Sequence, residues 1–483
     1  MGEDPVVGTA EGPIRGVRRA RDLAFLGIPF AAAPVGVNRF LPPQPVEPWS
    51  GLRDAIAYGP TPQRREEPGA FIPEPSVPGA ETLNLNVFTP SLAPAALPVL
   101  VWFHGGGYSA GSPVGSWYDG GTFTRDGVVT VTVSYRLGFD GFGVIDGAPD
   151  NRGVRDWLAA LEWVRRNIAA FGGDAGRVTI AGHSAGGGAV LTLLGMPSAQ
   201  HLFQGAISFS GALADIPRDV ARQRSIRLAE LAGVRPDLRG FRSTSERRLT
   251  RRQYEAGLLG KRGLAALLTP LHDGVPWGPV IDDDLIRQST VDSLRSGVGA
   301  GKPLLLGATD DEFTTALETA PMFLRHLPRS LALPLLAQDA PRRRSWLAAN
   351  RAHRRNAIGL LGRYIADEVF RSLVVSVAEA RDGESTWAYR FAWVSPVLGW
   401  SCHCLDVPFW WDVLDAPRVR RLAGPAPPQR LADLMHATAV SFLHRHDPGW
   451  RAWDTDPGTA RVFGADDGPQ LTSTEYDGAL PLV

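Results

Sequence analysis

RVTIAGHSAGGGAVLTLLG, residues 177–195, changes character at its middle. The first half, RVTIAG, is β-branched and apolar without alternation, the pattern of a strand covered on both faces. The second half, AGGGAVLTLLG, reads as a helix that opens on small residues. Between them Ser184 occupies the centre of G-x-S-x-G (182–186). A strand, a sharp turn bearing serine and then a helix is the arrangement that lifts a nucleophilic hydroxyl to the edge of a sheet. The flanking glycines keep side chains out of a crossing where strand and helix pass closely.

The same pattern recurs as GYSAG (107–111), and context separates the two copies. Ser109 follows HGGGY and precedes GSPVGSW, which has no helical period, so it is expected to be loop polarity. Ser184 is the expected nucleophile. Further apolar runs read as buried strands: LPVLVWF (97–103), VVTVTVSY (128–135), GAISFS (205–210) and KPLLLGA (302–308). Between the second of these and RVTIAG, the residues Val154, Trp157, Leu158, Leu161, Val164 and Ile168 recur at three- and four-residue steps and predict an amphipathic helix. Strand, helix and strand in succession predict an α/β architecture with a large, mostly parallel sheet flanked by helices. The Pro-rich stretch 59–79 is expected to be a long ordered loop. The arginine-rich stretches 218–262 and 342–355 are expected to be solvated helical faces.

Composition narrows the function classes. The chain has 483 residues, 44% apolar and 21% charged, with 50 basic residues against 50 acidic ones. A neutral chain has no overall field to draw in nucleic acid or an anionic membrane. The only cysteines, Cys402 and Cys404, are too close in sequence for an unstrained bridge and too few for a secreted disulfide framework. The N-terminus, MGEDPVVGTAEG, has neither the basic nor the apolar region of a signal peptide, and the apolar run at 97–103 is too short to span a bilayer. A cytoplasmic small-molecule enzyme is expected, a monomer or weak homodimer, folded as a single domain over residues 1–483.

Acyl transfer places negative charge on a former carbonyl oxygen, and pre-aimed N–H groups stabilise it. The strand at 97–103 runs into His104-Gly105-Gly106-Gly107, a Gly-rich turn that pairs with a nucleophile elbow in lipases and esterases. The expected oxyanion donors are the N–H groups of Gly106, Gly107 and Ala185. A serine also needs a histidine to take its proton and an acid to orient that histidine, in the chain order Ser, acid, His. The acid belongs just past a later strand, where LLLGATDDEF (304–313) offers Asp310, Asp311 and Glu312; spacing alone does not choose among them. Of the ten histidines, His403 in GWSCHCLDVPFWW (399–411) lies suitably downstream, after a strand pattern at 385–393, although a lone histidine is more often structural.

These motifs, taken together, resemble the type-B carboxylesterase family, which includes bacterial para-nitrobenzyl esterases and the cholinesterases. The resemblance runs through LGIPFAAAPVGVNRFLPPQPVEPWSG (26–51), LNLNVFTP (83–90), VWFHGGGYSAGS (101–112), SYRLG (134–138), LEWVRRNIAAFGGDAGRVTIAGHSAGG (161–187), GPVIDDDL (278–285), GATDDEF (307–313) and HCLDVPFWW (403–411). It implies an α/β-hydrolase fold with inserted loops and helices forming a substrate gorge. It places the catalytic acid at Glu312 and the base at His403, and it implies a buried ion pair between Arg136 and Asp174. Departures from the family pattern are His183 where the family has Glu, Phe313 where it has Gly, Thr82 where secreted relatives have a disulfide cysteine, and Ile72 near the register of the cholinesterases' choline-stacking Trp.

The reading is a serine hydrolase that cleaves small-molecule carboxylic esters through an acyl-enzyme, with Ser184, His403 and Glu312 as its triad and no metal or cofactor. Cys402-His403-Cys404 is not expected to bind metal, because three consecutive residues cannot converge as a tetrahedral set. An amidase or carbamate hydrolase could use the same triad, and a non-catalytic scaffold is the reading from another class. Residues 271–277 are expected to border the acyl side by resemblance, with 60–80 and 320–330 closing the gorge.

Overall fold

In a computed structural model of the chain, residues 4–62, 71–318, 328–351, 357–464 and 470–483 are described. Eleven strands among them share one sheet. In chain order they are β1 (Val17–Arg18), β2 (Leu23–Pro29), β3 (Asn84–Thr89), β4 (Leu97–Phe103), β5 (Val129–Val133), β6 (Gly173–His183), β7 (Gly205–Phe209), β8 (Leu304–Thr309), β9 (Thr386–Phe391), β10 (Ala460–Phe463) and β11 (Gln470–Thr472). Across the sheet the order is β11-β10-β9-β8-β7-β6-β4-β5-β3-β2-β1. Pairing is parallel from β10 through to β5 and antiparallel at both margins.

The unbroken apolar runs follow from burial on both faces. Along β4, Val99, Val101 and Phe103 enter one core while Leu100 and Trp102 enter another on the opposite face. Successive side chains of a strand alternate in direction, so a sheet covered on both sides needs apolar residues at every position. Helix α1 (Arg152–Asn167) covers the first face with Val154, Trp157, Leu161 and Val164, as its period predicts, and α2 (Ala185–Leu194) joins it. Helix α3 starts at Ala357–Ala366, passes through a π-helical turn at Asp367–Arg371 and ends in Ser372–Ala380. Helix α4 (Gln429–Arg445) covers the second face with Ala432, Met435, Ala439 and Phe442. Each fully buried Leu, Val or Phe contributes about 1.5–3 kcal/mol. No helix among the described residues is long and apolar enough to cross a membrane.

One expectation is corrected. Arg136 does not pair with Asp174. Its guanidinium and its backbone N–H both bind the carboxylate of Asp156 on α1, with Nη2–Oδ1 at 2.7 Å and N–Oδ2 at 3.0 Å. Both side chains are buried. Asp174 lies in the first residues of β6, where its Oδ1 accepts the N–H of Gly176 in an exposed contact. The buried carboxylate that Arg136 requires therefore comes from the helix packed against the sheet, and the tie runs from the segment after β5 to α1.

Candidate active site

Ser184 sits between the last residue of β6 and the first of α2, with φ +61° and ψ −123°. Such angles are strained for any residue but glycine, and the neighbours show why the chain accepts them. A Cβ on Gly182 would lie 2.4 Å from the Gly186 backbone, and one on Gly186 would lie 2.0 Å from the Phe103 carbonyl oxygen. The turn is locked by bonds from Ser184 N–H to the Phe209 carbonyl at 2.9 Å and from Gly188 N–H to the Ser184 carbonyl at 2.9 Å. Ser109, by contrast, lies in a turn that follows β4 without a helix, and its buried hydroxyl has no hydrogen-bond partner among the described residues.

The Gly-rich turn packs directly on this elbow. A Cβ on Gly105 would lie 2.7 Å from the His183 carbonyl oxygen and 3.2 Å from Ser184 Cβ. Gly106 takes φ +103°, and a Cβ there would lie 2.4 Å from the Ala110 backbone. Around Gly107, at φ +57°, the only atom among the described residues near a Cβ would be Val275 Cγ1 at 4.0 Å. Ala185 opens α2, so its N–H has no intrahelical acceptor. The turn is held from behind by His104, whose ring stacks on Tyr135 at 4.5 Å and whose carbonyl accepts the Tyr135 hydroxyl at 2.9 Å.

Three adjacent carboxyls past β8 have three different surroundings. Asp310 binds Arg390 through both oxygens at 2.5 Å and Arg371 at 3.2 Å. Burial would raise its pKa, but Arg390, with Arg363 and Arg371, holds the carboxyl well below the usual range. Asp311 accepts the Ser401 N–H at 3.3 Å and is pushed up to about 6 by burial and by Asp310. Glu312 is fully buried and its Oε2 bonds the Nδ1 of His403, while the His403 N–H donates to the Glu312 carbonyl at 2.7 Å. Its Oε1 accepts the Thr309 N–H at 2.9 Å. The alternatives left open by spacing are thus separated by partners: arginines take Asp310, and the imidazole takes Glu312.

His403 in turn lies beside the elbow, its ring 4.6 Å from that of His183, the residue before Ser184. Phe313 stacks on the same imidazole at 4.8 Å and 26°, and Phe370, from the π-helical turn of α3, lies at 5.1 Å. Phe313 therefore covers the His403 imidazole, and it remains 39% exposed. His183 is 1% exposed, and burial with His403 nearby holds its pKa well below the ordinary value. Cys402 and Cys404 are unpaired, and burial pushes the Cys402 thiol up to about 12 and that of Cys404 well above its usual range.

Two residues escaped sequence reasoning. Asp406 is fully buried behind the pair, accepts the Tyr389 hydroxyl at 3.1 Å, and is raised to about 7 by burial and then by Glu312. Its place in HCLDVPFWW gave no sign of this. Arg224, inside an arginine-rich stretch expected to be solvated, is 1% exposed and donates to the carbonyls of Asp273, Val275 and Pro276. It thereby holds Val275 against Gly107, within the 271–277 segment expected to border the site. Of the expected gorge segments, 63–70 and 319–327 lie outside the described residues. Glu74, which follows the first of these, accepts the Gly111 N–H at 3.1 Å and so ties its loop to the Gly-rich turn.

Comparison with known proteins points in one direction. A model described as the carboxylesterase family matches residues 3–456. The para-nitrobenzyl esterase of Bacillus subtilis is 31% identical over 457 residues, covering 91% of this chain and 88% of that protein. A phenmedipham hydrolase of Pseudarthrobacter oxydans is 29% identical, covering 97% and 96%. Among solved structures, a Geobacillus stearothermophilus carboxylesterase superposes with a TM-score of 0.85 at 30% identity, covering 99% of this chain and all of that one.

Proposed function

The chain belongs to the carboxylesterase family, and on that premise we propose that it hydrolyses small-molecule carboxylic esters by acyl transfer to Ser184. In this reading Ser184 Oγ attacks the ester carbonyl while His403 Nε2 takes its proton, and Glu312 holds the resulting imidazolium through Nδ1. The N–H groups of Gly106, Gly107 and Ala185 bind the oxyanion. His403 then protonates the leaving alcohol, and water repeats the sequence on the acyl-enzyme to release the acid. Only these side chains, backbone amides and water are called on.

The observation that carries the reading is the buried Glu312–His403 pair, set against the residue that precedes a strained serine. A single domain carries the chemistry, supported by one sheet that draws strands from Val17 to Thr472. A monomer or weak homodimer is the proposed active species, with neither nucleic acid nor membrane as partner. Cytoplasmic residence is part of the proposal, and two unpaired cysteines and a zero net charge support it.

The test is covalent labelling by a fluorophosphonate together with hydrolysis of a chain-length series of aryl esters. Ser184→Ala is expected to abolish both, by roughly 10⁴-fold or more in kcat, while Ser109→Ala retains them. Activity that survives Ser184→Ala and vanishes in Ser109→Ala sinks the assignment. A panel of matched esters, amides and carbamates ranks the leaving groups.

A further inference from the structure

Three metal-ligating side chains meet at the base, and they are not the three that adjoin in sequence. Donor atoms of His183, His403 and Cys404 all lie within 4.8 Å of one another. Cys402, the other neighbour of His403, is absent from this cluster. The objection that consecutive residues cannot converge falls away because the third donor comes from the elbow, across the sheet. We propose that His183, His403 and Cys404 bind a soft divalent cation of the zinc class, and that its occupancy switches ester hydrolysis off by withdrawing the imidazole of His403.

Four observations support the site. The His183 ring is 1% exposed, lies 4.6 Å from the His403 ring, and its Nε2 has no hydrogen-bond partner among the described residues. A buried nitrogen without a partner is rare and calls for an explanation. Cys404 takes φ +71°, a left-handed conformation that a non-glycine residue adopts at some strain, in the turn that follows the imidazole. Two imidazoles and a thiolate suit zinc or cadmium, and three protein ligands with one open position is a recurring zinc geometry.

The fourth observation is the carboxylate on the far side of the ring. With zinc–nitrogen bonds of about 2.1 Å and zinc–sulfur bonds of about 2.3 Å, tetrahedral ligands stand roughly 3.4–3.6 Å apart. Closing from 4.8 Å asks for about 1 Å of side-chain movement. Glu312 already bonds His403 Nδ1, which leaves Nε2 as the free donor. A carboxylate on one imidazole nitrogen with metal on the other is the usual way such ligands are oriented. On ligation Cys404 releases its thiol proton to solvent, and no other bond changes. The cation and Ser184 thus compete for one nitrogen. The inhibitory half of the proposal rests on His403 serving as the base; the binding half does not.

Purified full-length protein, stripped by a chelator, is titrated with cadmium ion. The thiolate-to-cadmium charge-transfer band is followed alongside aryl-ester hydrolysis and fluorophosphonate labelling of Ser184. One equivalent of cadmium is expected to bring up the band, with hydrolysis and labelling falling in step and returning on chelation; zinc competes for the site and magnesium does not. Affinity should weaken roughly tenfold or more in Cys404→Ser and in His183→Gln, and change less than about twofold in Cys402→Ser. Each activity is compared with the same variant's metal-free rate. Cys404→Ser, the smaller change, carries the test if His183→Gln does not fold. The proposal is overturned by a missing band, by full affinity in either ligand variant, or by a saturated site with hydrolysis unchanged. Failure of metal-free protein to label at Ser184 would instead sink the acyl-transfer reading, and the cadmium titration would still decide the binding site.

Discussion

A serine at φ +61° and ψ −123° stores roughly 1–3 kcal/mol of backbone strain. The elbow holds it because glycines 182 and 186 leave room for nothing else and because its N–H and carbonyl are both bonded. The same economy of space governs His403. Phe313 and Phe370 cover the His403 ring, and His183 lies 4.6 Å from it, so the imidazole has little freedom apart from its bond to Glu312. An aromatic contact of this kind contributes about 0.5–1.5 kcal/mol. Phe313→Ala is therefore expected to lower kcat about two- to tenfold on aryl esters small and bulky alike. Steady-state kinetics on a small and a bulky ester check this, and an unchanged kcat on both ends the idea. Which of the three carboxyls past β8 meets His403 is what residue-level reading could not reach. Asp310, Asp311 and Glu312 are indistinguishable along the chain, and their fates are set by Arg390, Ser401 and His403, which lie far downstream.

At the scale of elements the legible and the illegible divide by burial. The apolar runs at 97–103, 128–135, 177–182, 205–210 and 302–308 each coincide with a strand, because a strand covered on both faces records its environment at every position. Helix α1 was equally legible from its stripe. The ends were not: β6 begins at Gly173 rather than residue 177, since Gly173 pairs with Leu97 across a register shift that composition does not reveal. Neither was the π-helical turn of α3, which supplies Phe370 to the site from a segment that reads as ordinary helix. The family resemblance located Arg136 but misassigned its partner, because a motif gives order along the chain and not the direction of a side chain. The Arg136–Asp156 pair predicts a sharp asymmetry. Breaking a buried pair from one side leaves an uncompensated charge, so Asp156→Ala should destabilise by about 3–5 kcal/mol. Asp174→Ala, which removes only an exposed local contact, should stay within about 1 kcal/mol. Denaturant midpoints measure both, and equal losses would restore the pairing the resemblance implied.

For the whole molecule, zero net charge hides buried carboxyls whose preferences oppose one another. Asp310 is held below its ordinary value by arginines, so the stability it contributes is present above about pH 4 and is lost as pH falls through its folded value. Asp311, raised to about 6, and Asp406, raised to about 7, work the other way. Burial favours their protonated forms, so their contribution is complete below about pH 4 and is lost as pH rises through the folded values. Stability is expected to peak near pH 4 and to decline between about pH 4 and 7 by a few kcal/mol. Asp406 is the more telling of the two raised carboxyls, being fully buried with Tyr389 as its hydrogen-bond donor. Asp406→Asn keeps an oxygen for that hydroxyl and removes the titration. Its denaturation midpoint should vary less across that range than the wild type's and should exceed it at the alkaline end. The same carboxyl interacts with Glu312 and His403, so its ionisation adds negative charge near the imidazolium that the proposed mechanism forms. Asp406→Asn should therefore also remove a step near pH 7 from the kcat profile. Parallel pH-dependent denaturation and kinetics test the two effects together, and a midpoint that falls with pH as steeply in Asp406→Asn as in the wild type would show that the proton lies elsewhere.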